Sequence, residues 1–232
     1  MTTIELVCLD MAGTTVSDDG VVEQAFTEAV ARAGIAAGSA RHADALHVVR
    51  ETMGQAKIEV FRRILGDEAT AQEANRAFER AYATLLADGA VAALPGAEDL
   101  LDRLRKAGLG ICLTTGFAPS TREALIEHLG WGSRVDLALS PADVGRGRPW
   151  PDMIRAAART LDVTSPAAVA VAGDTPSDIE AGVASGASVV AGVLTGTGSR
   201  AELDAAGATH VLGSVGELLP LVTAGPRAAP PP

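Results

Sequence analysis

Ile4-Glu5-Leu6-Val7-Cys8-Leu9-Asp10-Met11-Ala12-Gly13-Thr14-Thr15 is an apolar run that stops at a carboxylate and passes into a glycine turn. The run predicts a strand over residues 4–9, with Asp10 at its carboxyl end. Downstream the pattern changes. From about residue 21 to residue 92 apolar positions recur at spacings of three and four, which predicts helices over 22–33, 42–53, 56–65 and 69–86. Leu94-Pro95-Gly96 breaks that pattern. Beyond it, helices over 97–106, 120–128, 151–161, 178–185, 199–206 and 215–222 alternate with strands over 110–114, 135–139, 167–172, 188–193 and 210–212. Strands separated by helices of this length form βαβ units around a parallel sheet. The fold class is therefore α/β, built from residues 1–15 plus 93–223, with a helical module at 16–92 inserted after the first strand. The proline-rich residues 224–232 are expected to form a disordered tail.

Composition narrows the function. The 232 residues are 47% hydrophobic, enough to bury a core without disulfides or structural metals. Nineteen basic residues against 29 acidic ones give a net charge of −10. A nucleic-acid partner needs a basic stripe, and base stacking needs more aromatics than 3%, so DNA and RNA are excluded. A small anion is not, because a few placed cations and backbone amides can hold one. Cys8 and Cys112 lie in separate apolar runs with no CxxC pair or Cys/His cluster, so they read as buried thiols. Residues 1–10 lack a basic segment before their short apolar run, and no run of about 18 apolar residues exists. A soluble, cytoplasmic protein with no membrane partner is expected.

Ligands of open parallel sheets sit where the strands end. Four polar clusters fall at such places: Asp10, Thr114-Thr115-Gly116, the Gly145-Arg146-Gly147-Arg148-Pro149 loop, and Asp174-Thr175-Pro176-Ser177-Asp178. A carboxylate at Asp10 can attack an electrophile while neighbouring N–H groups hold an anion, or it can simply cap a turn. The Thr114 hydroxyl with the amides of its glycine turn can cradle phosphoryl oxygens, or serve the turn alone. Asp174 and Asp178, four apart at a strand–helix junction, suit a hard cation with oxygen ligands such as Mg²⁺, although Asp178 can equally cap the helix. Arg148 supplies charge to neutralise a phosphoryl group, with Arg146 as the competing cation.

Taken in order, these four motifs resemble those of the haloacid dehalogenase superfamily, over nearly the whole chain. The resemblance implies a Rossmann-like parallel sheet flanked by helices, with a helical cap inserted after the first strand. It implies that Asp10 is the nucleophile that becomes an aspartyl-phosphate, that Thr114 binds the phosphoryl group, and that Arg148 takes the place of the usual basic residue. It also implies Mg²⁺ held by Asp10, the Ala12 carbonyl oxygen and Asp174, with Asp178 as a further or outer ligand. Substrate contacts are expected from Ala12, Gly13, Thr14, Thr115 and Gly116, and from Met53 in the inserted module.

Ala12 is the informative departure. Phosphatases of the superfamily usually carry a second Asp there, which protonates the leaving alkoxide and then activates water, help worth about 10²–10⁴ in rate. Asp-x-Ala-Gly-Thr-Thr is similar instead to the phosphonatase branch, which cleaves a P–C bond after a cap lysine condenses with the substrate aldehyde. Met53-Gly54-Gln55-Ala56-Lys57 resembles the stretch that carries this lysine. Lys57 falls in the first turn of a predicted helix and shares a face with Val60, Phe61 and Ile64. The helix dipole and partial desolvation both favour its neutral, nucleophilic form, whereas a lysine on an exposed face would merely snorkel. Three proton-handling groups of that branch are replaced here: a His by Val60, a Tyr by Phe117, and a Cys by Val21. The expectation is a Mg²⁺-dependent hydrolase of a small phosphonate or phosphate, phosphonatase-like. The alternatives are a phosphomonoesterase of the phosphoglycolate phosphatase type and a binding protein with little turnover. The apolar face Val22, Ala25, Phe26, Ala29 and Val30 suits either a homodimer through the inserted module or packing within that module.

Overall fold

The computed structural model describes residues 3–17 and 19–223. The predicted disordered tail at 224–232 lies outside the described residues.

Six parallel strands make one sheet: β1 (Leu6–Asp10), β2 (Gly110–Thr114), β3 (Leu137–Leu139), β4 (Val169–Gly173), β5 (Val189–Val193) and β6 (His210–Leu212). Their spatial order is β3-β2-β1-β4-β5-β6, so the chain winds outward in both directions from β1. That order puts the topological switch beside β1. In register, Asp10 at the end of β1 stands against Thr114 at the end of β2, and Leu9 against Ala172 of β4, two residues before Asp174. β1 is buried along its whole length, as expected of a central strand covered on both faces. Cys8 and Cys112 are paired across β1 and β2, buried and free.

Helices α1 (Val21–Arg32), α2 (Ala40–Glu51), α3 (Lys57–Leu65) and α4 (Glu68–Ala87) follow β1 in the chain and precede β2. Around the sheet run α5 (Ala97–Lys106), α6 (Pro119–His128), α7 (Pro141–Val144), α8 (Asp152–Thr160), α9 (Pro176–Ser185), α10 (Arg200–Ala205) and α11 (Leu219–Thr223). The predicted helix over 178–185 begins two residues early, because Thr175 caps it and Pro176 takes the first helical turn. The predicted helix over 215–222 splits into a 3-10 turn at Val215–Leu218 and the short α11, with Pro220 near the start of the latter. The sequence pattern did not predict α7, a single turn fixed by a reciprocal Ser140/Asp143 capping box. Of the two readings of the face Val22, Ala25, Phe26, Ala29 and Val30, packing within the module is what the structure displays: these residues are buried inside the chain, with α1 packed chiefly on α4. No helix among the described residues is long and apolar enough to cross a membrane.

Candidate active site

Three carboxylates converge where β1 and β4 end. Asp10, Asp174 and Asp178 are all buried, and each offers an oxygen within 4.8 Å of the others. Each is placed by a different device. Asp10 is the last residue of β1. Asp174 follows β4, where the Thr14 hydroxyl donates to its Oδ1 at 3.1 Å and the Thr197 amide to its Oδ2 at 2.9 Å. Asp178 sits at the third position of α9 and closes a capping box, its Oδ2 accepting from the Thr175 amide at 3.1 Å and hydroxyl at 2.5 Å. Both sequence readings of Asp178 thus have a counterpart: it caps α9, and its carboxylate belongs to the acidic cluster.

Arg148 binds two of the three. Its Nη1 donates to Asp10 Oδ1 at 2.6 Å and also meets Asp178 Oδ1, with both partners buried. Its Nε is buried and lacks a hydrogen-bond partner, a donor open to an oxygen of a ligand. Arg146, the competing cation, points elsewhere: it pairs with Asp152 at 3.1 Å and lies 4.5 Å over the exposed Trp150 ring. One guanidinium against three carboxylates leaves the cluster short of positive charge. Asp174 registers this: burial first, and the Asp10 charge second, push its carboxyl up to about 7, against the Thr197 amide, the Thr14 hydroxyl and Arg148. A buried, all-oxygen, anion-rich cluster fits a hard divalent cation, and Asp10, Asp174 and Asp178 are the side chains that could hold it.

The turn after Asp10 requires glycine. Gly13 has φ +84°, and a Cβ there would lie 2.6 Å from Asp174 Oδ2. Ala12 bridges Val16 inside this turn, its methyl side chain offering no proton. Thr14 and Thr15 are buried, the Thr15 hydroxyl donating to the Asp10 carbonyl at 2.8 Å. The sequence reading missed a fifth contributor, the loop after β5. Thr195 Oγ1 donates to the Gly13 carbonyl at 2.7 Å, and Thr197 holds Asp174. The signal was present, since Leu194-Thr195-Gly196-Thr197-Gly198 follows an apolar strand as the other polar clusters do.

On the other side, Thr114 and Thr115 are buried at the end of β2, and Thr115 Oγ1 accepts from the Phe117 amide at 3.2 Å. The segment before α3 presses on this turn. The Lys57 amide donates to the Gly116 carbonyl at 3.2 Å, and any Cβ on Gly116 would overlap the Gln55 carbonyl oxygen. Met53 is half-buried in the same segment, and Gly54 packs on Thr175. Lys57 opens α3 and is itself buried, with Nζ 5.1 Å from the Phe117 ring centre and 5.9 Å from that of Phe26. Val60 and Phe61 on its helical face are buried and Ile64 half-buried, so Lys57 does not snorkel from an exposed face. The structure therefore brings Lys57 against Gly116 and Phe117, and gathers Asp10, Arg148, Asp174 and Asp178 in a second cluster. The paired ends of β1 and β2 link the two.

The model of the haloacid dehalogenase-like hydrolases matches residues 4–186. A phosphonoacetaldehyde hydrolase of Bacteroides fragilis is 31% identical over 205 residues, 79% of this chain and 73% of its own length. The protein CbbY of Cereibacter sphaeroides is also 31% identical, over 93% of this chain and 94% of its own. Among solved structures, a phosphonoacetaldehyde hydrolase-like protein from Oleispira antarctica superposes with a TM-score of 0.81 at 25% identity. That match covers 96% of this chain and 92% of the other.

Proposed function

This chain belongs to the haloacid dehalogenase-like hydrolases, and from that premise we propose that it cleaves the P–C bond of a small carbonyl phosphonate, phosphonoacetaldehyde or a near relative. The observation that carries this reading is the buried Lys57, its Nζ over the Phe117 ring beside the Thr114–Gly116 turn, whose Thr114 pairs with Asp10 across β1 and β2. In this reading Lys57 attacks the substrate carbonyl and loses water to form an imine. Asp10 then attacks phosphorus, and the electrons of the breaking P–C bond flow into the protonated imine. No acid is needed to protonate a leaving alkoxide, which accounts for alanine at position 12. Arg148, already on Asp10, offers its open Nε to a phosphoryl oxygen, and the Thr114 hydroxyl with the Thr115 and Gly116 amides holds others. Haloacid dehalogenase-like hydrolases generally use Mg²⁺; held by Asp10, the Ala12 carbonyl and Asp174, with Asp178 behind, it would supply further positive charge to the phosphoryl group. Water finally cleaves the aspartyl-phosphate, and the enamine left on Lys57 takes a proton at carbon and is hydrolysed by a second water, releasing the aldehyde and the free lysine.

A second reading, a phosphomonoesterase, draws on Val60, Phe117 and Val21, which leave no His, Tyr or Cys at the three positions where the phosphonatase branch handles protons. One experiment separates the two. The protein with Mg²⁺ is given phosphonoacetaldehyde or a panel of phosphomonoesters, with and without borohydride, and phosphate release is followed. Borohydride inactivation that needs phosphonoacetaldehyde and disappears in Lys57→Arg supports the P–C route. Ester turnover that survives Lys57→Arg, with no such inactivation, supports the phosphomonoesterase. No turnover of any substrate with saturable binding leaves a binding protein.

A further inference from the structure

Arg122 is a buried cation that the chemistry above does not use. It sits on α6 at 7% exposure, and a guanidinium withdrawn that far from water needs charged partners. Its Nη1 donates to the Ser140 hydroxyl at 3.2 Å and meets Asp143 Oδ2, while Nη2 reaches the exposed Glu123 at 3.1 Å. The same Asp143 oxygen accepts from the Ser140 amide at 2.7 Å. One carboxylate oxygen thus closes the capping box of α7 and receives Arg122. α7 needs that hold: it has four residues, none of them buried, and a single turn does not persist on its own hydrogen bonds.

What α7 carries is the Arg148 loop. The Gly145 amide donates to the Pro141 carbonyl at 2.8 Å, and Gly145 then leaves the helix with φ +94°. The chain folds back so closely that a Cβ on Gly147 would lie 2.8 Å from Pro141 Cγ. Arg148 follows at once, with its guanidinium on Asp10. At its other end, α6 begins just beyond the Thr114–Gly116 turn. Arg122 therefore ties together the two segments that flank Asp10.

We infer that Arg122 is a positioning residue for phosphoryl transfer. Held to Asp143 and Ser140, it fixes α7 and, through the contact of Pro141 with Gly147, the place from which Arg148 meets Asp10 and an incoming phosphoryl oxygen. Arg122 acts through α7, not on the reacting atoms. The inference rests on the attack of Asp10 on phosphorus proposed above, and holds whether the bond that breaks is P–C or P–O.

The test is a double-mutant cycle on the full chain with Mg²⁺. Arg122→Met removes the cation and keeps its length; Asp143→Asn keeps an oxygen for the Ser140 amide and removes the charge opposite Arg122. The substrate is acetyl phosphate, whose hydrolysis needs Asp10 but not Lys57. Rates are taken at a temperature where circular dichroism shows every variant folded, so that lost stability alone leaves kcat unmoved. Each single substitution should lower kcat by about 10–10²-fold, the effect of a guanidinium misplaced by about an ångström. The double variant should be no slower than the slower single, to within about threefold, because the two side chains are the ends of one contact. A kcat within about threefold of wild type in either single variant overturns the inference and leaves a purely stabilising ion pair. Falls that multiply in the double variant overturn it as well. Should Arg122→Met fail to fold, Asp143→Asn, whose side chain is 34% exposed, decides by the same threshold. A wild-type chain that hydrolyses acetyl phosphate keeps the Asp10 step whatever the variants do; one that releases phosphate from neither acetyl phosphate nor phosphonoacetaldehyde removes that step and the inference together.

Discussion

Arg148 and Arg146 stand two residues apart in one loop, yet their surroundings predict opposite consequences of removing them. Arg148 is the one cation ion-paired within the buried cluster of Asp10, Asp174 and Asp178 among the described residues. Arg148→Ala leaves buried carboxylates facing one another and should cost about 3–5 kcal/mol, read as a lower thermal midpoint in EDTA, with turnover lost. Arg146→Ala breaks only a surface pair and should cost about 0–1 kcal/mol, with activity unchanged. Spacing could not choose between these two, since either could reach a strand end; only burial separates them. Asp10 was legible because an ionisable group directly after a buried strand is rare without purpose. Asp10→Asn keeps the shape and should reduce turnover below about 1% of wild type.

At the level of elements, the segment 53–57 and the turn 114–117 interlock through backbone rather than side chains. Lys57 N–H meets the Gly116 carbonyl, and Gly116 admits the Gln55 carbonyl where any Cβ would collide. Gly116→Ala should therefore push α3 and its lysine away from the strand ends. The expected outcome is a fall in kcat/KM of about 10²-fold, with far-UV circular dichroism unchanged. Elements whose periodicity matches their burial were readable to within a residue or two: α5, β2 and β6 fall where the pattern put them. Harder cases depend on local side-chain chemistry. Ser140 and Asp143 make α7 by capping, which four residues of sequence hardly announce. The Thr195–Gly198 loop follows an apolar strand like the other polar clusters but carries no charge, so the sequence offered its position while its grip on Asp174 and Gly13 is a matter of three-dimensional contact.

For the whole molecule, the acidic cluster ties stability to pH and to metal. The Asp174 carboxyl titrates near 7 in the folded chain, against 3.8 as its ordinary value. Between those values the folded chain holds a proton that the unfolded chain has released. The associated stability is thus complete below the lower value and is lost as pH rises through the higher one. In EDTA the thermal midpoint should fall as pH is raised from about 5 to about 8, and Asp174→Asn should flatten that slope. A divalent cation competes with the same proton. Mg²⁺ at about 100 times its Kd should restore about 2.7 kcal/mol, and saturation should need less Mg²⁺ at the alkaline end of the range.

The α/β class and the placing of chemistry at the strand ends followed from periodicity, because a parallel sheet buries its strands and leaves polar groups only where they stop. The surroundings of Lys57 did not follow, because Phe26 and Phe117, whose rings lie beside its amine, come from separate stretches of chain.

The account rests on Asp10 taking up phosphorus. A crystal of the wild-type protein soaked with Mg²⁺ and beryllofluoride tests this directly, since the tetrahedral fluoride mimics a phosphoryl group on a carboxylate. The predicted result is beryllium bonded to a carboxylate oxygen of Asp10, with Arg148 and Thr114 on the fluorines. Beryllofluoride bound elsewhere, with the Asp10 oxygens turned away from it, would contradict the account.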